Sequence, residues 1–165
     1  MQFEWRLSFA FAFALCGMML VQVMESRAEE TAAATDEEKP YKIAEDGTVD
    51  WATFSGFRRY NSVCHTCHGP DGVGSSYAPA LAASMKSMDY PTFLAVVAEG
   101  RKNMTGGKEN VMPGFGNNKN VYCYLDDLYI YLRARAVGDL PRGRPPKKAD
   151  KPQGAKDYEA SCMSD

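Results

Sequence analysis

Cys64-His65-Thr66-Cys67-His68 confines this chain more tightly than any other stretch. Two thiols separated by two residues can each add to one vinyl group of a single porphyrin, and the histidine after the second thiol then lies under the iron as its proximal ligand. On this reading Cys64 and Cys67 hold one covalently attached haem c, His68 is the proximal ligand, and His65 is a bystander. Other uses of paired thiols fit less well. A zinc site wants four ligands, usually from a second Cys or His pair, and the only two histidines of the chain both lie in this segment. A thioredoxin-like redox pair wants a βαβ setting, whereas the flanks here read as helical and Gly-rich. The same scarcity of histidine leaves a Ser-His-Asp hydrolase without a distant base.

The sixth iron position follows by elimination. Bis-histidine ligation has no donor, which leaves Met85, Met88, Met104, Met112, Met163, a lysine or Cys123. Met112 is favoured. It stands in Val111-Met112-Pro113-Gly114-Phe115-Gly116, where Pro and Gly read as an irregular loop able to lie across a haem face. Met85 and Met88 suit core filling at helical spacing better. A thioether favours ferrous iron and raises the potential, and with both axial positions filled the iron has no open site for oxygen or peroxide. The expectation is an electron-transfer protein and not an enzyme. An oxygen-activating enzyme or sensor with open or Cys-ligated iron is the rival from another class.

Residues 7–23 form a nearly unbroken apolar run led by Arg6 and closed by Ser26-Arg27-Ala28, which predicts a signal peptide over residues 1–28 cleaved after Ala28. An uncleaved anchor is the competing reading, at the short limit for a hydrocarbon core of ~30 Å. Cys16 follows Leu15, which does not suit a lipoprotein site. Export implies a periplasmic protein, soluble after cleavage, in an oxidising compartment that favours pairing of Cys123 with Cys162. Two free thiols, or Cys123 on the iron, are the alternatives.

The remaining chain divides by composition. Residues 29–49 read as an acidic, flexible lead-in, residues 50–136 as one helical domain, and residues 137–165 as a basic, Pro-rich tail. Asp50 is placed to cap a helix carrying Trp51, Phe54 and Phe57, and Asp89 with Pro91 opens a second helix through Phe93, Leu94 and Val97 that Gly100 can stop. A polar loop centred on Gly106-Gly107 follows. Asn120 is then read as the cap of a helix with Tyr122, Leu125, Leu128, Tyr129 and Leu132 on one face up to Arg135. No run alternates well enough for a sheet, so the predicted class is all-α with long loops. The net charge is −2, which does not mark a nucleic-acid binder. Its distribution is uneven: residues 133–156 hold eight basic and two acidic residues, and residues 29–50 the reverse imbalance, eight acidic and two basic. A basic collar of this kind steers an acidic partner as readily as it solvates a tail.

Over residues 50–136 the sequence resembles a class I cytochrome c. Gly56 and Phe57 match the family's first helix, which crosses the last near an aromatic such as Tyr129. Pro79-Ala80-Leu81 matches the segment whose proline carbonyl accepts the proximal imidazole N–H. Longer stretches are more specific: Arg59-Tyr60-Asn61-Ser62-Val63, residues 67–81, Gly100-Arg101-Lys102-Asn103, Cys123-Tyr124-Leu125-Asp126-Asp127 and Tyr131-Leu132-Arg133-Ala134-Arg135-Ala136. These resemble methanol dehydrogenase-associated cytochromes, particularly those serving the lanthanide-dependent, PQQ-containing enzyme. The resemblance implies a monomeric carrier that takes electrons from a PQQ-dependent methanol dehydrogenase, or from another PQQ alcohol dehydrogenase. Its acceptor would be a downstream cytochrome or oxidase, and the quinone and any lanthanide would belong to the donor. Arg58, Arg59, Arg101 and Lys102 are candidates to neutralise haem propionates.

Overall fold

The computed structural model describes residues 39–105 and 107–164. The expected signal peptide, its cleavage site and Cys16 lie outside the described residues, as does most of the acidic lead-in.

Asp50 accepts a hydrogen bond from the Thr53 N–H at 2.7 Å, satisfying one of the orphan donors at the start of helix α1 (Trp51–Arg59). A π-helical turn (Tyr60–Cys64) and a single helical turn α2 (His65–His68) continue it, and Gly69 at φ 72° ends the run. After a 3-10 turn (Pro70–Gly72) come the short α3 (Leu81–Ser84) and then α4 (Tyr90–Glu99). Helix α4 is capped by Asp89, whose carboxylate accepts the Thr92 N–H at 2.9 Å, and it stops at Gly100.

The central packing event is the crossing of α1 with α6 (Leu125–Val137). A Cβ on Gly56 would stand 2.6 Å from the Asp127 carbonyl carbon and 2.7 Å from the Tyr131 Cβ, so only glycine lets the two backbones come this close. Around that contact Phe57 meets Tyr131 edge-on with ring centroids 5.9 Å apart, and Tyr60 lies 5.5 Å from the same ring. Tyr60, Tyr131, Leu128 and Leu132 are completely or almost completely buried here. The aromatic at the crossing is therefore Tyr131, and not Tyr129 as the family pattern suggested. Tyr129 packs instead on Tyr90 and Phe93 of α4, at 5.0 and 5.4 Å. A position two residues away on a 3.6-residue period faces a different neighbour.

Three further expectations are corrected. The polar loop is an antiparallel hairpin, β2 (Arg101–Thr105) with β3 (Lys108–Met112), in register from Arg101 opposite Met112 to Thr105 opposite Lys108. Arg101, Lys102, Asn103, Met104, Glu109, Asn110 and Val111 are all exposed, so neither face selects apolar residues and no period-two signature exists to be read. The helix expected to start at Asn120 is two helices, α5 (Lys119–Tyr122), capped by Asn118, and α6, with Cys123 and Tyr124 between them. Tyr122, expected on the buried face, is 51% exposed.

The chain ends also prove more ordered than composition implied. Tyr41 is buried and its hydroxyl donates to Asp139 at 2.7 Å. Strand β1 (Thr48–Val49) pairs in parallel with β4 (Lys147–Lys148), Leu140 is buried, and residues Gln153–Ser164 form helix α7. Helix α7 buries no residue fully; a disulfide from Cys162 to Cys123 holds it, with Cα atoms 5.8 Å apart. Among the described residues no helix is long and apolar enough to cross a membrane.

Candidate haem site

The π-helical turn widens the backbone between α1 and the cysteine pair, the His65 N–H reaching the Tyr60 carbonyl. Tyr60, rooted in the core, donates its hydroxyl to the Gly69 carbonyl at 2.5 Å and so fixes the segment leaving His68. That segment folds back on itself: the Gly69 N–H bonds the His65 carbonyl at 2.9 Å, and the Gly74 N–H bonds the His68 carbonyl at 2.8 Å. Gly74 at φ 88° has no room for a side chain, since a Cβ would stand 2.8 Å from the Ala80 nitrogen. Ser75 donates to the Cys67 carbonyl at 2.5 Å. The return path brings the Pro79 carbonyl 2.9 Å from Nδ1 of His68, whose side chain is buried.

This contact determines the chemistry of the imidazole. A carbonyl only accepts, so Nδ1 carries the proton and Nε2 keeps its lone pair as a donor for a metal. Both thiols are free, Cys64 half-buried and Cys67 exposed, while the other two described cysteines are bonded to each other. Burial, and secondarily the neighbouring Cys67, push the Cys64 thiol up to about 11, so it is a neutral thiol at physiological pH and not a ready thiolate ligand. Among the described residues no group of three His, Cys, Asp or Glu could hold a bare metal ion. A donor set of two unpaired thiols and one pre-oriented imidazole suits covalent attachment of a porphyrin better than coordination of a lone cation.

Met112 closes β3 instead of standing in an irregular loop, and Pro113–Gly116 follow it along the end of α4. The Phe115 and Gly116 N–H groups bond the Val97 and Ala98 carbonyls at 2.9 and 3.0 Å. Gly100 and Gly114 permit the approach: a Cβ on Gly100 would lie 2.6 Å from the Met112 carbonyl oxygen, and one on Gly114 would lie 2.8 Å from the Ala98 oxygen. Met112 is half-buried against the core. Of the other sulfur candidates, Met85 is fully buried, Met88 packs on the core, and Met104 and Met163 are exposed at 70% and 37%. Cys123 is committed to its disulfide.

The propionate candidates are dispersed. The Arg59 guanidinium stacks 3.5 Å from the Tyr124 ring centre, Arg58 and Arg59 line one cleft with Trp51, and Arg101 and Lys102 belong to the hairpin, where Lys102 pairs with Glu109 at 3.6 Å. Sequence reasoning missed Asp71. It holds a left-handed conformation at φ 56° in the turn after His68, and its buried carboxylate accepts from the Gly143 N–H at 2.9 Å and Arg142 Nε at 3.2 Å. Burial opposes its ionisation, but these donors and Arg135 outweigh it and hold the carboxyl below its ordinary range. The C-terminal segment is thereby tied to the turn that carries the proximal histidine. An Asp-Gly pair marks a turn in sequence, but nothing local signals a partner some seventy residues on.

Comparison with known proteins agrees with this geometry. Residues 52–132 match the family model described as cytochrome C oxidase, cbb3-type, subunit III. Cytochrome c-555 of Methylococcus capsulatus is 41% identical over 106 residues, 64% of this chain and 76% of that protein. The chain belongs to the class I c-type cytochromes. Cytochrome c-553I of Paracoccus denitrificans is 59% identical over 124 residues, which cover 75% of this chain but only 55% of that protein's length. The crystal structure of the c-type cytochrome XoxG from Methylobacterium extorquens AM1 superposes with a TM-score of 0.64 at 46% identity, covering 78% of this chain and 84% of that one. This class I cytochrome carries one covalently attached haem c.

Proposed function

We propose that this cytochrome is a periplasmic carrier that takes single electrons from a PQQ-dependent methanol dehydrogenase, of the lanthanide-containing kind, and passes them to a second cytochrome or an oxidase. The observation that carries the reading is the run of shared stretches from Arg59 to Ala136 that resembles methanol dehydrogenase-associated cytochromes, with the XoxG structure 46% identical to this chain. Cys64 and Cys67 would attach the haem, His68 and Met112 would ligate its iron, and Pro79 orients His68.

The haem supplies a one-electron couple at iron. The protein's own residues do the rest. The Pro79 carbonyl fixes the tautomer and ring plane of His68 and makes its Nε2 a better donor. The close backbone approaches at Gly100 and Gly114 hold the segment carrying Met112 against the end of α4, which would keep its thioether available to the iron. Two one-electron visits are required per alcohol oxidised, and brief, salt-sensitive docking serves that turnover better than a permanent complex.

Stopped-flow reduction of the ferric holoprotein by purified, substrate-loaded dehydrogenases tests the assignment. The expected result is rapid, salt-dependent reduction by a lanthanide-containing methanol dehydrogenase and much slower reduction by other PQQ alcohol dehydrogenases. Equal, slow reduction by all of them removes the methanol assignment.

A further inference from the structure

A groove of about 480 Å³ opens where α4, the α5–α6 junction and the C-terminal helix α7 meet, and nothing in the electron-transfer reading uses it. Leu94, Ala95, Ala98 and Leu125 make its floor. Its walls are three tyrosines, Tyr90, Tyr122 and Tyr158, and one carboxylate, Asp126; among the described residues no basic side chain lines it.

These side chains are held in place. The Tyr90 ring packs edge-on against Tyr129 at 5.0 Å, and its hydroxyl donates to the Asp126 carboxylate, which anchors wall and charge together. Tyr122 and Tyr158 keep half their surface exposed, at 51% and 56%. Tyr122 immediately precedes Cys123, and Tyr158 stands one helical turn before Cys162, so the disulfide sets the separation of the two rings. The negative charge is not neutralised locally: Asp126 has no ion pair among the described residues, and Asp127 beside it acts on the same Tyr158 hydroxyl.

Each ring presents a negative π-face, and aromatic walls around an uncompensated carboxylate recognise a cation that sheds its water cheaply. An apolar floor excludes a hard metal ion, which demands several oxygen ligands. The volume lies in the range of small-molecule sites. We propose that this groove binds a small organic ammonium group, methylated or quaternary, with Tyr90, Tyr122 and Tyr158 as the aromatic walls and Asp126 as the counter-charge. The group can belong to a free amine or to a lysine side chain, and the two sources share this chemistry. None of Cys64, Cys67, His68 and Met112 lines the groove, and the proposal does not depend on the identity of the electron donor.

Titration of the oxidised holoprotein, followed by backbone amide NMR shifts, tests it with three probes. Tetramethylammonium chloride represents the free cation, N-acetyl-trimethyllysine methylamide the methylated lysine side chain, and tert-butanol an uncharged ligand of similar shape. The expected result is saturable binding of at least one cation, with shifts centred on Tyr122, Asp126 and Tyr158, and tert-butanol weaker by about tenfold. Tetramethylammonium alone assigns the free amine, and the lysine derivative alone assigns a side chain. Asp126→Asn should weaken binding about three- to tenfold, and Tyr122→Leu and Tyr158→Leu about two- to fivefold each, as expected for single ring–cation contacts near a surface. These side chains are exposed, and an unchanged haem spectrum and midpoint potential report that the variants are folded. Cys162→Ser, which frees the helix carrying Tyr158, should weaken binding while the Soret band is unchanged. Failure of both cations to bind, tert-butanol binding as tightly as they do, or full affinity in Asp126→Asn overturns the proposal.

Discussion

Replacing Gly56 by alanine puts one methyl group into the tightest backbone contact of the fold. The added carbon would sit 2.6 Å from the Asp127 carbonyl carbon and 2.7 Å from the Tyr131 Cβ. Carbon atoms in contact prefer about 3.5 to 4.0 Å, so α1 and α6 must separate by roughly 1 Å. A gap of that size forfeits a quarter to a half of each affected dispersion contact, here those that Phe57 and Tyr60 make with Tyr131. Overpacking of this kind costs about 1 to 3 kcal/mol, and the rigid backbone on the far side places this site at the upper end. Alanine recovers about 1 kcal/mol through its helix propensity. The net expectation is a loss of about 2 kcal/mol. With a urea slope of about 2 kcal/mol per molar for a domain of this size, the midpoint falls by about 1 M. Urea titration of the holoprotein, followed in parallel by far-ultraviolet circular dichroism and Soret absorption, reads this directly. An unchanged or raised midpoint would mean that the helices part without losing contacts, and the crossing would not be the organising feature claimed here.

Tyr131 offers a complementary test: its buried hydroxyl has no partner among the described residues, so Tyr131→Phe should leave stability unchanged or raise it by up to about 1 kcal/mol, and a loss above that range would reveal an unrecognised bond. Burial, partly offset by a Ser55 hydrogen bond, raises the Asp127 carboxyl from 3.8 to about 6, so the folded state keeps a proton that the unfolded chain releases. The resulting penalty is absent below pH 3.8, grows as pH rises and is complete above about pH 6. Asp127→Asn should therefore stabilise the protein at pH 7 by about 1 to 3 kcal/mol and lose its advantage near pH 4, as denaturation at the two pH values will report. Removing the Cys123–Cys162 bridge, with its sequence separation of 39, should lower stability by at most about 4 kcal/mol and loosen α7 first, visible as faster amide exchange in residues 153–164. Uniform loss of protection across all helices would show that α7 is integral to the core.

The parts of this protein that were legible in its sequence are those set by local chemistry. Asp50 and Asp89 cap their helices because a carboxylate before a helical run has few better uses. The attachment pentapeptide was readable because thioether bonds and one imidazole impose their own spacing. What escaped was set at long range. Hairpin pairing from Arg101 to Met112 needs no apolar face, and it leaves no pattern. Leu140, the β1–β4 pairing and α7 are stabilised by partners far away in the chain, so residues 137–165 read as a tail until the fold supplies those partners. Tyr131 was passed over for Tyr129 because neighbouring positions on one helix differ only in what faces them. Asp71 reads as a turn residue, and its clamp on residues 142–143 exists only in three dimensions.

The central claim is that a single covalently bound haem has its iron closed by His68 on one side and Met112 on the other. Near-infrared absorption of the ferric holoprotein, repeated on Met112→Ala and on Met104→Ala as a control, examines it most directly. The account predicts a sulfur-to-iron charge-transfer band in the parent protein and in Met104→Ala, and its loss in Met112→Ala together with new carbon monoxide binding to the ferrous form. A band that survives in Met112→Ala, or a parent protein that lacks the band and binds carbon monoxide readily, contradicts it.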